Sequence, residues 1–502
     1  LATWIRTTDP SRPIHHEGEI LHRGWVGDES SVSDIVGPMY PAIDAIREYG
    51  DAGVGARPLV MSEYSHAMGN SNGSLADYWD VIMTTPGLQG GFVWEWKDHA
   101  LRQRTPDGRV RLAYGGQFDD VPNDGNFVAD GLVSAELEPH PAMRELAWVH
   151  RPVAVERARG GLRIENRQSF TDLAGLRATW ELLVDDDVVG RGTLRIPRVG
   201  ARSSVTVPLP CDVPGGSHEV LLSVRWTTRR DAWFAPAGHL VSWDQVRLGR
   251  RRAARRPVAG GLSAPPDGLV QPRLHLWRAA TDNDGFKLMP DKRRRRAANV
   301  ALWTWQDAGL DVRPAEDLVA HDVRVVRDEH GVTYHHVVDV PADLADLPRV
   351  GVSFELPPRF DRVRWRGRGP HENYPDRNRS AMLGVWDGPP DDPPYLVPQE
   401  FGLRTDCTWV ELVDSTGGQV VRVDAVDPGT MHVSAVRFTS ADLYAATGED
   451  DLSPRDGLVV CIDTAHRGVG TASCGPDVLA AYRLPAGRYE FSYRVATASR
   501  SS

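Results

Sequence analysis

An apolar strand that ends in a carboxylate is the feature of this sequence that most invites chemistry. In the stretch 57–70, RPLVMSEYSHAMGN, the apolar run Leu59-Val60-Met61 leads to Glu63, and the aromatic hydroxyl of Tyr64 and the imidazole of His66 follow at once. Such a carboxylate suits the nucleophile of retaining glycoside hydrolysis, which needs a second carboxyl about 5–5.5 Å away to give and later take a proton. A Glu at a strand end serves equally as a structural hydrogen-bonding residue, and spacing leaves both readings open. His15-His16-Glu17 has the residue types of a metal site. Neighbours on a strand point to opposite faces, however, so the three cannot share one ion, and they are read as residues at the edge of a site.

Placing these groups requires a scaffold, and from about Arg12 to His150 short apolar strands alternate with helical stretches, as in the βα units of a parallel sheet. Four strands are expected, at Pro13 to Glu17, Asp34 to Tyr40, Pro58 to Tyr64 and Gly90 to Trp96. Leu75, Tyr78, Trp79 and Ile82 recur at helical spacing, which predicts a helix over Ser74 to Met83. Glu17, Tyr40, Glu63 and Trp94 then sit at or beside strand ends, where a (β/α)₈ barrel builds its active site. Closing that barrel takes eight strands, so 1–153 reads as the C-terminal half of a TIM barrel, whose open edges require the other half upstream or from another chain.

Beyond Val153 the period changes to two. Leu176, Ala178, Trp180, Leu182 and Val184 share a face, as do Val220, Leu222, Val224 and Trp226, which predicts an immunoglobulin-like β-sandwich over 154–248. The Arg-, Gly-, Ala- and Pro-rich stretch 249–269 reads as a linker. Alternation returns at Arg349 to Leu356, Val420 to Val426, Leu458 to Ile462 and Tyr489 to Val495, so a large β-sandwich domain is expected over 270–497.

Composition narrows the function classes. A chain of 502 residues implies roughly two to four domains. Its 41% hydrophobic and 25% charged residues are a soluble globular balance, and no apolar run approaches the roughly 20 residues of a membrane span. With 58 Lys and Arg against 68 Asp and Glu, the formal charge of −10 offers nucleic acid no general attraction. The runs Arg250 to Arg256 and Arg293 to Arg296 read as solvated loop residues, because Arg replaces Lys almost everywhere in this chain. Cys211, Cys407, Cys461 and Cys474 form no CxxC pair, which fits reduced thiols in a cytoplasmic protein. The sequence opens Leu-Ala-Thr-Trp without an initiator Met, so it is expected to start inside a longer protein.

Longer motifs turn these patterns into a family resemblance. SEYSHAMGNSNG (62–73), followed by LQGGFVWEWKDHAL (88–101), is similar to the nucleophile strand and the next barrel strand of the long, multi-domain β-galactosidases of glycoside hydrolase family 2. DIVGPMY (34–40) resembles the strand before them, and YGGQFDDVPNDGNFVADGLV (114–133) the loop after the last barrel strand. WRAATDNDG (277–285), GRGPHENYPDR (367–377), PQEFGLR (398–404) and GTASCGP (470–476) resemble signatures of the domain called the small chain, which the resemblance makes galactose-mutarotase-like.

The resemblance implies hydrolysis of terminal β-D-galactosides such as lactose, with retention. It makes Glu63 the nucleophile and Tyr40 the phenol that steadies it, and places His66, Trp94, Met39 and Cys474 around the sugar. Phe127, through its carbonyl, and Asp130 would hold a sodium ion (Na⁺), a hard-oxygen site by ligand type. As lone residues, Trp94 also suits a barrel core, Asp130 a turn before Gly131, and Cys474 a small core position. The acid/base Glu and the main Mg²⁺ ligands of the complete enzyme are expected upstream of Leu1, and 248–274 is shorter than in the family. An N-terminal part or complementing subunit is therefore an expected partner, the complete enzyme is expected to be a homo-oligomer, and the isolated chain to be inactive. Another family 2 activity, such as β-glucuronidase or β-mannosidase, and a non-catalytic carbohydrate-binding or complementing role are the alternatives.

Overall fold

Apolar residues alternating with more exposed ones set the first sheet: Leu59, Met61 and Tyr64 are buried along β1 (Leu59–Tyr64), which pairs in parallel with β2 (Leu88–Val93). The computed structural model describes residues 1–26, 31–53, 57–216, 218–249, 261–289 and 300–499. Between the two strands runs α1 (Leu75–Thr84), whose Leu75, Tyr78, Val81 and Ile82 are buried while Trp79 is half-buried, so the helical stripe expected from the sequence packs on the sheet. Further parallel bridges join His15 to Ile35, Val36 to Leu59, Met39 to Glu63 and Lys97 to Val133. The expected strand at Pro13 to Glu17 is thus present only as a bridge at His15, because Glu17 already caps a short helix, Gly18–Arg23. The parallel sheet is open, and Trp4, Phe92 and Trp96 each leave more than half of their surface in solvent.

Period-two segments build the rest. The four-stranded sheet β9-β8-β5-β6 consists of β5 (Leu176–Val184), β6 (Asp187–Thr193), β8 (Val220–Thr228) and β9 (Leu240–Arg247). It faces the three-stranded sheet β3-β4-β7 of β3 (Val153–Ala158), β4 (Gly161–Asn166) and β7 (Ser204–Val207). Val220, Leu222, Val224 and Trp226 are fully enclosed between them, as alternation requires of a sandwich core.

The C-terminal domain stacks a five-stranded sheet on a seven-stranded one. The first has the order β10-β13-β20-β19-β16, from β10 (Arg273–His275), β13 (Arg349–Leu356), β16 (Arg404–Cys407), β19 (Met431–Val436) and β20 (Leu458–His466). The second has the order β11-β12-β21-β18-β17-β14-β15. Its members are β11 (Ala320–Asp328), β12 (Gly331–Val340), β14 (Phe360–Gly369), β15 (Met382–Gly388), β17 (Trp409–Asp414), β18 (Gln419–Asp427) and β21 (Gly487–Ser499). Val352, Leu412, Val423 and Val460 fill the layer between the two sheets. Of the stretch read as a linker, 250–260 lies outside the described residues, as do both arginine runs. Its described part already belongs to the domain, since Ser263 pairs antiparallel with Thr497 and Leu269 packs on the core.

Among the described residues no helix is long and apolar enough to cross a membrane. One buried imidazole gives the fold a measurable pH dependence. His336 stacks on Phe491 at 4.7 Å and is nearly fully enclosed, and burial pushes its pKa down to about 4. A depressed folded pKa means that this stabilisation is complete above the unfolded value near 6.5 and is lost as pH falls towards 4. Substituting His336→Phe, which keeps the stack, is therefore expected to gain about 2 kcal/mol on the parent protein between pH 7 and pH 5. Urea unfolding at the two pH values checks this, and a stability difference that does not move with pH would contradict it.

Candidate active site

The end of the parallel sheet gathers the chemistry-bearing residues. Glu63 is the penultimate residue of β1, half-buried, with Met39 bridged to it on the neighbouring strand. The Tyr40 N–H donates to the Glu63 carbonyl at 2.8 Å. The two side chains are hydrogen-bonded as well, and burial first, then that bond, raise the Tyr40 phenol well above its ordinary pKa. Because it stays protonated, Tyr40 is the donor, and its O–H orients the carboxylate.

His66 is fully buried one turn further along the loop. Its ring stacks on Phe127 at 5.3 Å and meets Tyr40 edge-on at 5.9 Å. Nδ1 is 2.7 Å from Ser473 Oγ, and Nε2 is 3.4 Å from Asp130 Oδ2. Ser473 donates its own hydroxyl hydrogen to Asn283 Oδ1 at 2.9 Å, so the oxygen is left to accept from His66 Nδ1–H. Burial lowers the imidazole pKa, but hydrogen bonds to Asp130 and Cys474 outweigh it and raise the net value to about 9. Trp94, just beyond β2, accepts from the Ala67 N–H at 2.7 Å through its carbonyl and leaves its ring partly open.

The eight residues that the resemblance places at the site thus lie around one end of the sheet: Met39, Tyr40, Glu63, His66, Trp94, Phe127, Asp130 and Cys474. His15 is drawn towards β1, where its ring meets the Val60 carbonyl at 3.1 Å, while His16 is exposed. Glu95 was not anticipated. Its N–H donates to the Asp130 carbonyl at 2.9 Å, and burial followed by the Asp130 charge raises its carboxyl pKa. The Asp130 carboxylate is buried and its Oδ1 has no hydrogen-bond partner among the described residues, which suits an oxygen kept for a hard monovalent cation.

Much of what holds the loop 65–74 in place comes from the C-terminal domain, beside the bonds of Ala67 to the Trp94 carbonyl and of Asn72 to Ser65. Ser65, Asn72 and Ser74 take left-handed backbone conformations, with φ of 50°, 60° and 60°, which cost of order 1–3 kcal/mol each unless the surroundings fix them. Asn70 is fully buried, and every polar group it carries is engaged: its N–H by Gln399 Oε1 at 3.0 Å, its Nδ2 by the Glu400 carbonyl at 2.7 Å, its Oδ1 by Arg377 at 2.8 Å and its carbonyl by Asn283 at 3.2 Å. Arg377 also donates to the Ser71 carbonyl and pairs with Glu372 at 3.0 Å. Asp376 accepts from the N–H groups of Val469 and Gly470 at 3.0 and 2.8 Å, which anchors the loop carrying Ser473 and Cys474. Gly73 must be glycine, since a Cβ there would lie 2.0 Å from Asp376 Oδ2.

Comparison with known proteins follows the same division. The family model described as "Glycosyl hydrolases family 2, TIM barrel domain" matches residues 1–155, "Beta-galactosidase, domain 4" matches 162–249, and "Beta galactosidase small chain" matches 260–495. The chain is 31% identical to a beta-galactosidase of Arthrobacter sp. (strain B7), over 95% of this chain and 54% of that protein. It is also 31% identical to one of Aeromonas hydrophila, over 93% of this chain and 51% of that protein. It therefore spans about half the length of the curated relatives it matches. A solved exo-chitosanase of Amycolatopsis orientalis aligns at a TM-score of 0.18 and 13% identity, covering 51% of this chain and 25% of that one, too slight a likeness to argue from.

Arg377→Ala is expected to destabilise the protein by about 3–5 kcal/mol, because it leaves Glu372 buried without its cation. Arg377→Lys should recover only part, since an ammonium lacks the planar fork that spans Glu372, Asn70 and Ser71. Chemical unfolding of the two variants measures this, and a loss under about 1 kcal/mol for the alanine variant would overturn it.

Proposed function

The chain belongs to glycosyl hydrolase family 2, and from that premise we propose that it carries the nucleophile side of a retaining β-galactosidase, with Glu63 as the nucleophile. The observation that supports this most is the hydrogen bond of a protonated Tyr40 to Glu63 at the end of a parallel strand. A carboxylate so oriented attacks the anomeric carbon of a β-galactoside while the bond to the leaving oxygen breaks, and that oxygen takes a proton from a second carboxyl group. Water then gives a proton back to the second group and attacks the same carbon, which breaks the ester to Glu63 and releases galactose with its configuration retained.

In this reading the second carboxyl and the Mg²⁺ ligands come from an N-terminal portion or a complementing subunit, and the complete enzyme is a cytoplasmic homo-oligomer. His66, Trp94, Met39 and Cys474 surround the galactose. Asp130, with the Phe127 carbonyl, would hold a Na⁺ ion, which supplies a positive charge for the sugar hydroxyls. Lactose is the representative substrate. The match to the small-chain model over 260–495 favours this activity over the other family 2 glycosidases.

The test is covalent. When the chain is assembled with a polypeptide that carries the first half of the barrel, a 2-deoxy-2-fluorogalactoside with a good leaving group is expected to label Glu63, located by peptide mass spectrometry. Glu63→Gln should lower kcat on the order of 10⁴-fold or more while leaving the unfolding midpoint in place. A label on another residue, or turnover by the Gln variant within about tenfold of the parent, would sink the proposal.

A further inference from the structure

The five-stranded sheet of the C-terminal domain has a second face whose residues are unlike those of its core. Leu274, Val352, Ile462 and Val433 point into the layer between the sheets, and their neighbours along each strand point away from it. Two cross-strand rows result on that outer face: Arg273, Ser353, Cys461 and Ser434, then His275, Gly351, Asp463 and His432. The small residues in these rows leave a hollow, and Gly351 has no alternative, since a Cβ would fall 2.3 Å from Asp463 Oδ1. Leu269, Phe401, Phe438 and Leu443 close over it, and the resulting cavity is about 440 Å³, within the range of roughly 300–1,000 Å³ typical of small-molecule sites. None of the residues around Glu63 lines it.

Charge is what makes this hollow more than a packing defect. Arg349 and Glu400 both line it, and each is at least 97% removed from solvent. The Arg349 guanidinium is taken up by Asp463, in a fork of 3.1 and 2.6 Å. Glu400 is not satisfied in the same way. Its Oε1 is 3.6 Å from Arg349 Nη1 and 3.6 Å from His466 Nε2, both beyond hydrogen-bonding reach, and His466 Nε2 is itself buried without a partner. Among the described residues nothing donates a hydrogen bond to this buried carboxylate, which is costly, and it faces a space able to hold a donor. Ser353, Ser434 and His275 surround the same space with groups that both give and accept hydrogen bonds, and Phe401 and Phe438 add apolar faces.

We infer that this cavity binds a neutral polyhydroxylated compound the size of one pyranose ring, with a ligand hydroxyl donating to Glu400 and others engaging Ser353, Ser434 and His275. An anion would meet the Glu400 carboxylate while the guanidinium of Arg349 is already committed. A cation at Glu400 would lie against that guanidinium. A sugar hydroxyl avoids both repulsions, and the alternating polar and apolar surfaces of a pyranose suit a wall of hydroxyls facing phenyl rings. The site is separate from the one around Glu63, and either assignment can fail without the other.

The probe is D-galactose, with D-glucose in parallel, titrated into the full chain carrying His66→Ala to remove binding at the first site and followed by saturation-transfer NMR. Saturable binding is expected. Ser434→Leu and Ser353→Val, which project methyl groups into the hollow, should each weaken it about tenfold or more, and Glu400→Gln by a similar factor, with circular dichroism confirming that each variant is folded. Galactose 1-phosphate and glucosamine should bind at least about tenfold more weakly than galactose. Absence of saturable binding by either neutral sugar, tighter binding of a charged analogue, or binding indifferent to every folded variant would each overturn the inference.

Discussion

Asn70 is the residue on which the arrangement depends. It lies seven positions after Glu63 in a loop with several left-handed residues, and a buried amide in such a place is tolerable only if all its hydrogen-bonding groups are met. Three segments from the other end of the chain meet them. Asn283 comes from the TDND turn, Arg377 from the PDR that follows Tyr374, and Gln399 and Glu400 from the start of the PQEFG loop. The part of the loop around Asn70 is therefore set by the C-terminal sandwich, while Ala67 is held from the sheet side through the Trp94 carbonyl. The same domain reaches His66 through Ser473, which Asn283 also holds.

This explains why so large a β-domain accompanies a site made of strand ends. The parallel sheet is open, and of the loop's left-handed residues Ser65 and Asn72 are tied to each other through the Asn72 amide, while Ser74 donates its N–H to the Asp376 carbonyl of the C-terminal domain. The fully enclosed polar groups of the C-terminal domain supply a rigid wall against which the loop is cast. A buried ionic arrangement of this kind adds little net stability compared with apolar packing, but it punishes any alternative geometry, since misplacing the loop would strand Arg377 and Glu372 out of water. Glu400 joins the two regions described above: its carbonyl accepts from Asn70, and its carboxylate lines the cavity on the outer face of the five-stranded sheet.

Much of this was legible in the sequence. Period-two alternation located the core faces at Val220 to Trp226 and Arg349 to Leu356, and helical spacing located α1, because burial on one side of an element leaves a periodic trace. The residues around Glu63 could be assembled because the motifs containing them are long and ordered along the chain. The supports of those residues left no such trace. Asn70, Arg377, Asn283 and Ser473 pair across hundreds of positions, and a polar residue that will be buried by a distant loop looks like any surface Asn or Ser. Glu95 escaped for a related reason: its raised pKa arises from burial and from Asp130, a residue that only the folded loop brings beside it. The stretch 261–269 reads as linker because a single bridged residue, Ser263, carries no period, although it pairs with Thr497 on the inner strand β21, beyond the end of β12.

Backbone hydrogen exchange in the loop 69–74 measures most directly whether the C-terminal domain holds it. The account predicts that the amides of Asn70, Gly73 and Ser74, which donate to Gln399, to the Gly470 carbonyl and to the Asp376 carbonyl, exchange only as slowly as the core amides of that sandwich, through the same unfolding event. Rapid exchange at these three amides while β13 and β20 remain protected would contradict it, since the loop would then be opening on its own.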